Sequence, residues 1–162
     1  MDAPASLSHN GLSHNGCVPF ALETARMDLS KLHPGLRGMA HLLVTAEHTA
    51  PRVGSGRVAV LATPVMINLI EAAALAACED LLPENFQSLG IHLDIRHFAA
   101  TPVGMRVEAT AELVAIDGRT LSFRVEARDE REVIGDGTHE RVVVNVARFD
   151  ERVQKKLRAP SA

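Results

Sequence analysis

Glu71 is the only acid in an apolar run from Ala62 to Cys78, and that run reads as one buried helix. A carboxylate taken out of water costs several kcal/mol unless partners compensate it. Such an acid is therefore either a base or nucleophile held ready for chemistry, or one half of a core ion pair. Thr63 lies at the head of the run and Asn68 one turn before the acid. Further along, Gly90 to Phe98 alternates, with Ile91, Leu93, Ile95 and His97 on one face and His92, Asp94, Arg96 and Phe98 on the other. An imidazole among aliphatics is a proton acceptor working near neutrality or a satisfied core residue.

The elements that must position these groups are legible from spacing. Met39 to His48 supports a first strand, Thr49 to Gly56 a loop, and Arg57 to Ala62 an extended approach. Thr63-Pro64 carries a helix-start signal, and the helix is expected to reach about Leu82 and stop before Pro83. Met105 to Ile116 alternates Val107, Ala109, Ala111 and Leu113 against Arg106, Glu108, Thr110 and Glu112. Asp117-Gly118 is a hairpin signal, and Thr120 to Arg128 returns from it. A last strand covers Glu132 to Phe149, where Gly135 and Gly137 suggest a bulge, and Asp150 to Leu157 forms a charged helix or coil. This order is α+β: an antiparallel sheet curled around one long central helix. One helix cannot cover both faces of such a sheet, so a dimer joining sheet edges is expected.

The 162 residues suit one domain, expected over 19–152, with tails at 1–18 and 153–162. The first tail holds a duplication, Leu7-Ser8-His9-Asn10-Gly11 and Leu12-Ser13-His14-Asn15-Gly16, too polar and Gly-rich to bury a core. A net charge of -3 gives no general affinity for nucleic acid or anionic lipid, and the absence of Trp and Tyr removes the usual base-stacking platforms. No spanning segment or signal peptide is indicated, which makes the cytoplasm the default location. The histidines lack the spacing of a metal site, and Cys17 and Cys78 form no disulfide framework.

Ala62-Thr63, Glu71, Leu89-Gly90, the segment His97 with Ala99-Ala100-Thr101-Pro102, and Gly137-Thr138-His139-Glu140-Arg141 occur in an order that resembles the hotdog-fold thioesterases related to fluoroacetyl-CoA thioesterase. The likeness covers roughly residues 36–152. It implies that Thr63, Glu71 and His97 act together on an acyl-CoA thioester, at a subunit interface of a homodimer. It also implies that the backbone N–H of Gly90 holds the thioester oxygen, and that Arg141 lies near the site in a structural or CoA-contacting role. Asn68 is a further candidate for substrate contact. No cofactor is implied, because coenzyme A is part of the substrate.

Thioester hydrolysis needs an activated nucleophile, a proton for the departing sulfur and donors aimed at the oxyanion. Glu71 can attack or activate water, His97 can deprotonate water or polarise the carbonyl, and Thr63 can orient either or attack itself. Eight helical residues span about 12 Å, so joint action of Thr63 and Glu71 in one chain favours a helix that begins near Asn68. His139 and Arg141 also read as a core hydrogen bond and salt bridge tying the last strand to its neighbour. Two other functions are alternatives: a non-catalytic acyl-CoA-binding module, in which Glu71 and His97 pair with each other, and, less favoured, an enoyl-CoA hydratase, which would place an Asp and a His a few residues apart at the head of the helix, a pair this sequence lacks. Where the fluoroacetyl-CoA enzyme has lid aromatics this chain has Arg57 and a Gly-rich loop, so a fluorinated acyl group is not implied.

Overall fold

The structure, a computed structural model, describes residues 27–158; the tail expected at 1–18 lies outside that range. Strand β1 (Arg37–Leu43) leads through a short turn and the one-turn helix α1 (Ala50–Val53) to the long helix α2 (Thr63–Cys78). Strands β2 (Phe86–His97), β3 (Arg106–Asp117), β4 (Thr120–Asp129) and β5 (Val133–Asn145) follow, and helix α3 (Val146–Arg158) ends the described chain. All five strands form one antiparallel sheet in the order β1-β3-β4-β5-β2, and α2 packs on one face, most closely against β1 and β3. No helix among the described residues is long and apolar enough to cross a membrane.

The alternation read from β3 is the alternation observed. Val107, Ala109, Ala111 and Leu113 face the helix and are buried, joined there by Leu121, Phe123, Val125 and Ala127 of β4. Each large side chain so placed contributes roughly 1.5–3 kcal/mol relative to exposure. Gly118 turns the β3–β4 hairpin with a left-handed φ of 56°. At Gly38 the helix backbone comes so close that an added methyl would overlap the main chain of Ala73 and Ala77, and the small residues of α2 make this approach possible.

Several expectations need correction. Helix α2 is not buried all round: Met66, Leu69, Ile70, Ala73, Ala74, Ala77 and Cys78 are buried, while Pro64, Asn68, Ala72 and Ala76 are exposed. The reason is architectural, since a single chain supplies only one layer of sheet. The β2 face carrying Ile91, Leu93 and His97 is likewise open, with Ile91 54% and Leu93 38% exposed. The helix ends at Cys78, and a 3-10 turn over Glu79–Leu81 replaces its expected last turn. The bulge in β5 falls at Ile134, just before the glycine expected to mark it, and further register shifts occur in β2 between Gly90 and His92 and in β3 between Leu113 and Ala115. The last strand stops at Asn145, and α3 begins at once with none of its residues buried.

Candidate active site

The helix begins at Thr63, not near Asn68. Ala62 is its N-cap, anchored by an N–H bond to the His48 carbonyl, and Pro64 stands in the first turn where its missing N–H costs nothing. The Thr63 hydroxyl caps nothing; it lies 2.9 Å from Nδ1 of His97, which reaches it from the end of β2. The other ring nitrogen, Nε2, is buried and has no hydrogen-bond partner among the described residues. A buried polar atom left so costs about 1–3 kcal/mol. Burial also pushes the imidazole below its ordinary 6.5, while the Ala99 backbone acts the other way. The ring is therefore neutral near pH 7.

Because α2 is regular from Thr63 onward, Glu71 lies about 12 Å further along it and belongs to a different cluster. Its side chain is 32% exposed and rests over Gly90, where an added methyl would overlap its Oε1. Gly90 is thus needed for room. Oε1 is 3.6 Å from Nη1 of Arg141 and 3.7 Å from Nε2 of His139. Both distances are too long for hydrogen bonds, so the carboxylate sits in the field of the guanidinium with its lone pairs uncommitted to either group.

The Arg141 and His139 side chains are fixed by bonds of their own. His139 Nδ1 lies 3.0 Å from the His92 carbonyl, which only accepts, so the ring proton is on Nδ1. Nε2 then accepts from Arg141 Nη1 at 3.1 Å. Burial is the main influence holding this imidazole below its ordinary range, and Arg141 adds to it, against the His92 carbonyl and the acids Glu71 and Glu140. Arg141 places Nε on the Ser88 hydroxyl and Nη2 on the Ser88 carbonyl, each at 2.9 Å. The hydroxyl in turn donates to Glu79 at 2.6 Å. The reading of His139 and Arg141 as ties between strands therefore describes their contacts, with Ser88 of β2 as the anchor.

The family described as fluoroacetyl-CoA-specific thioesterase matches residues 44–147. A fluoroacetyl-CoA thioesterase of Streptantibioticus cattleyicolor is 43% identical over 100 residues, 62% of this chain and 72% of that protein. The chain belongs to the fluoroacetyl-CoA-specific thioesterase family. The solved structure of the fluoroacetyl-CoA thioesterase FlK superposes with a TM-score of 0.74 at 35% identity, covering 80% of this chain and 98% of that one. A hot-dog-like protein from Thermanaerovibrio acidaminovorans superposes at 0.73 with 21% identity, over 80% of this chain and 97% of its own, a likeness of fold.

Within this family member, Thr63 with His97 and Glu71 with Gly90, His139 and Arg141 make two groups, and Asn68 stands on the exposed face of α2 between them. A concavity of about 720 Å³ lies elsewhere, on the sheet face turned away from α2, between charged residues such as Arg37, Arg96, Glu112 and Arg124. It contains none of the predicted site residues. Of the exposed arginines, Arg37 pairs with Glu112 and Arg52 with Glu47. No three His, Cys, Asp or Glu side chains among the described residues are grouped to hold a metal ion. Ser88 and Glu79 were not singled out by sequence: a serine in a strand and an acid at a helix end both read as solvent-facing.

Proposed function

We propose that the protein hydrolyses a small or short-chain acyl-CoA thioester to the free acid and CoA, in a site that two copies of the chain complete. One observation carries the reading: Glu71 is half-buried beside a cation, above a glycine, and no side chain among the described residues hydrogen-bonds it. A structural ion pair would be closed and bidentate; this carboxylate is open to a substrate and a water. The family membership supports the thioester as that substrate.

The dimer reading rests on what one chain leaves open. The outer edge of β2 is unpaired, and the exposed face of α2 and Ile91, Leu93 and Phe98 lie uncovered. Antiparallel pairing of two β2 edges about a two-fold axis near the middle of the strand runs the Gly90 end of one copy alongside the His97 end of the partner subunit. The two groups that are separate within a chain then meet across the interface.

In this arrangement Glu71 takes a proton from water as the water oxygen attacks the acyl carbon. The Gly90 N–H and the imidazole of His97, oriented by Thr63, take up the charge growing on the carbonyl oxygen. The C–S bond then breaks, and the proton held by Glu71 passes to the departing sulfur. Arg141 acts behind Glu71, and Asn68 contacts the acyl-CoA from the open face of α2. The reaction draws on no cofactor, CoA being part of the substrate, and the reading places the protein in the cytoplasm with that substrate. Thiol release from acyl-CoAs of graded size tests it: turnover of small acyl groups is expected, whereas binding without release would favour a non-catalytic acyl-CoA module.

A further inference from the structure

We propose that Ser88 and Glu79 are positioning residues, forming with Arg141 a buried polar brace that holds the Glu71 carboxylate over Gly90. The inference rests on the role given to Glu71 above and goes beyond it to two residues far from the reacting atoms.

The brace begins at the C-terminal end of α2. The Glu79 carboxylate receives both the Ser88 N–H, at 3.1 and 3.3 Å, and the Ser88 hydroxyl, at 2.6 Å. With its proton committed to Glu79, the hydroxyl oxygen offers only lone pairs to Arg141, whose Nε–H it accepts. The Ser88 carbonyl accepts from Nη2, so two edges of the guanidinium are held by one residue. The third edge faces His139, whose tautomer is set by the His92 carbonyl, and the same Nη1 is the closest cationic atom to Glu71. Every contact but the last is a hydrogen bond, and Ser88, His139 and Arg141 are all buried.

The chemical consequence follows from what is absent between Arg141 and Glu71. A guanidinium free to turn would close on the carboxylate through two hydrogen bonds, which would occupy the lone pairs that must take a proton. Anchored on Ser88, it stands at 3.6 Å and supplies positive charge without capture. Among the described residues, the charged and titratable groups facing Glu71 are Arg141 and His139, both from β5; β2 presents Gly90 there.

The test is to follow Glu71 directly, through its carbon-13-labelled carboxyl resonance by NMR at one fixed pH, in the full-length protein and in Ser88→Ala, Glu79→Ala and Glu79→Gln variants. Loss of the brace lets Arg141 move, so both alanine variants are expected to shift that resonance, with kcat falling about tenfold and KM holding within about twofold. Glu79→Gln keeps an acceptor oxygen for Ser88 and is expected to retain the wild-type resonance and most of the rate. Should Ser88→Ala not fold, Glu79→Ala carries the test. An unmoved Glu71 resonance in the alanine variants, even with a lowered melting temperature, would overturn the proposal. A shifted resonance in a protein that releases no thiol would instead sink the hydrolase reading and leave the brace standing.

Discussion

The surroundings of Glu71 and of Thr63 on α2 are built on opposite plans. At Glu71 every neighbour is secured from within the chain: Arg141 by Ser88, Ser88 by Glu79, His139 by the His92 carbonyl. At Thr63 there is a hydrogen bond to His97, and the far nitrogen of that ring is left without a partner among the described residues. The first cluster is held entirely by groups of its own chain, whereas the second leaves a ring nitrogen open, and on the proposed reading it is there that a second copy and a ligand would add what is missing.

The sharpest way to break this contrast is complementation. Glu71→Gln and His97→Ala are each expected to lower kcat by about a hundredfold or more with the fold retained. Mixed and allowed to exchange subunits, the two dead variants should regain about a quarter of wild-type activity, because each mixed dimer has one intact composite site. No recovery, with exchange demonstrated by mass spectrometry, would place the whole site within one chain. A smaller effect is expected at the braced end alone: in Gly90→Ala the new methyl overlaps the Glu71 carboxylate and presses on His139. That variant should lose at least about tenfold in kcat and melt several degrees lower, as read by thiol release and calorimetry.

The smallest effect concerns acidity. His97 and His139 both have folded-state pKa values below their ordinary 6.5, chiefly through burial. The unfolded chain then binds more protons than the folded one as pH drops below 6.5, so stability is complete above that value and declines on acidification. Melting temperature should fall from pH 7 to pH 5, and His97→Gln should flatten part of that slope. An increase in stability over this range would show that neither ring is held neutral.

How much of this was readable in the sequence depended on distance along the chain. The β3–β4 hairpin was plain because its alternation and its Asp117-Gly118 turn are local. Glu71 and His97 stood out because a polar residue in an apolar pattern is conspicuous wherever it packs. At the start of α2 the local signal prevails: the helix begins at Thr63-Pro64 as the cap and proline indicate, and the later start near Asn68, which contact between Thr63 and Glu71 would need, is not observed. Ser88 and Glu79 gave no signal, since the bonds that define them reach across from β2 to the turn after α2 and to β5.

Gly38 has a mechanical consequence for both clusters. With no room for even one carbon between β1 and the main chain at Ala73 and Ala77, the spacing there is set by backbone against backbone. Changes of core volume elsewhere can tilt the helix about that point, as a lever tilts on its fulcrum, but cannot lift it away. Glu71 lies close to the pivot and Thr63 at the long arm, so the geometry of the carboxylate is insulated from such drift while that of the hydroxyl is free to follow it.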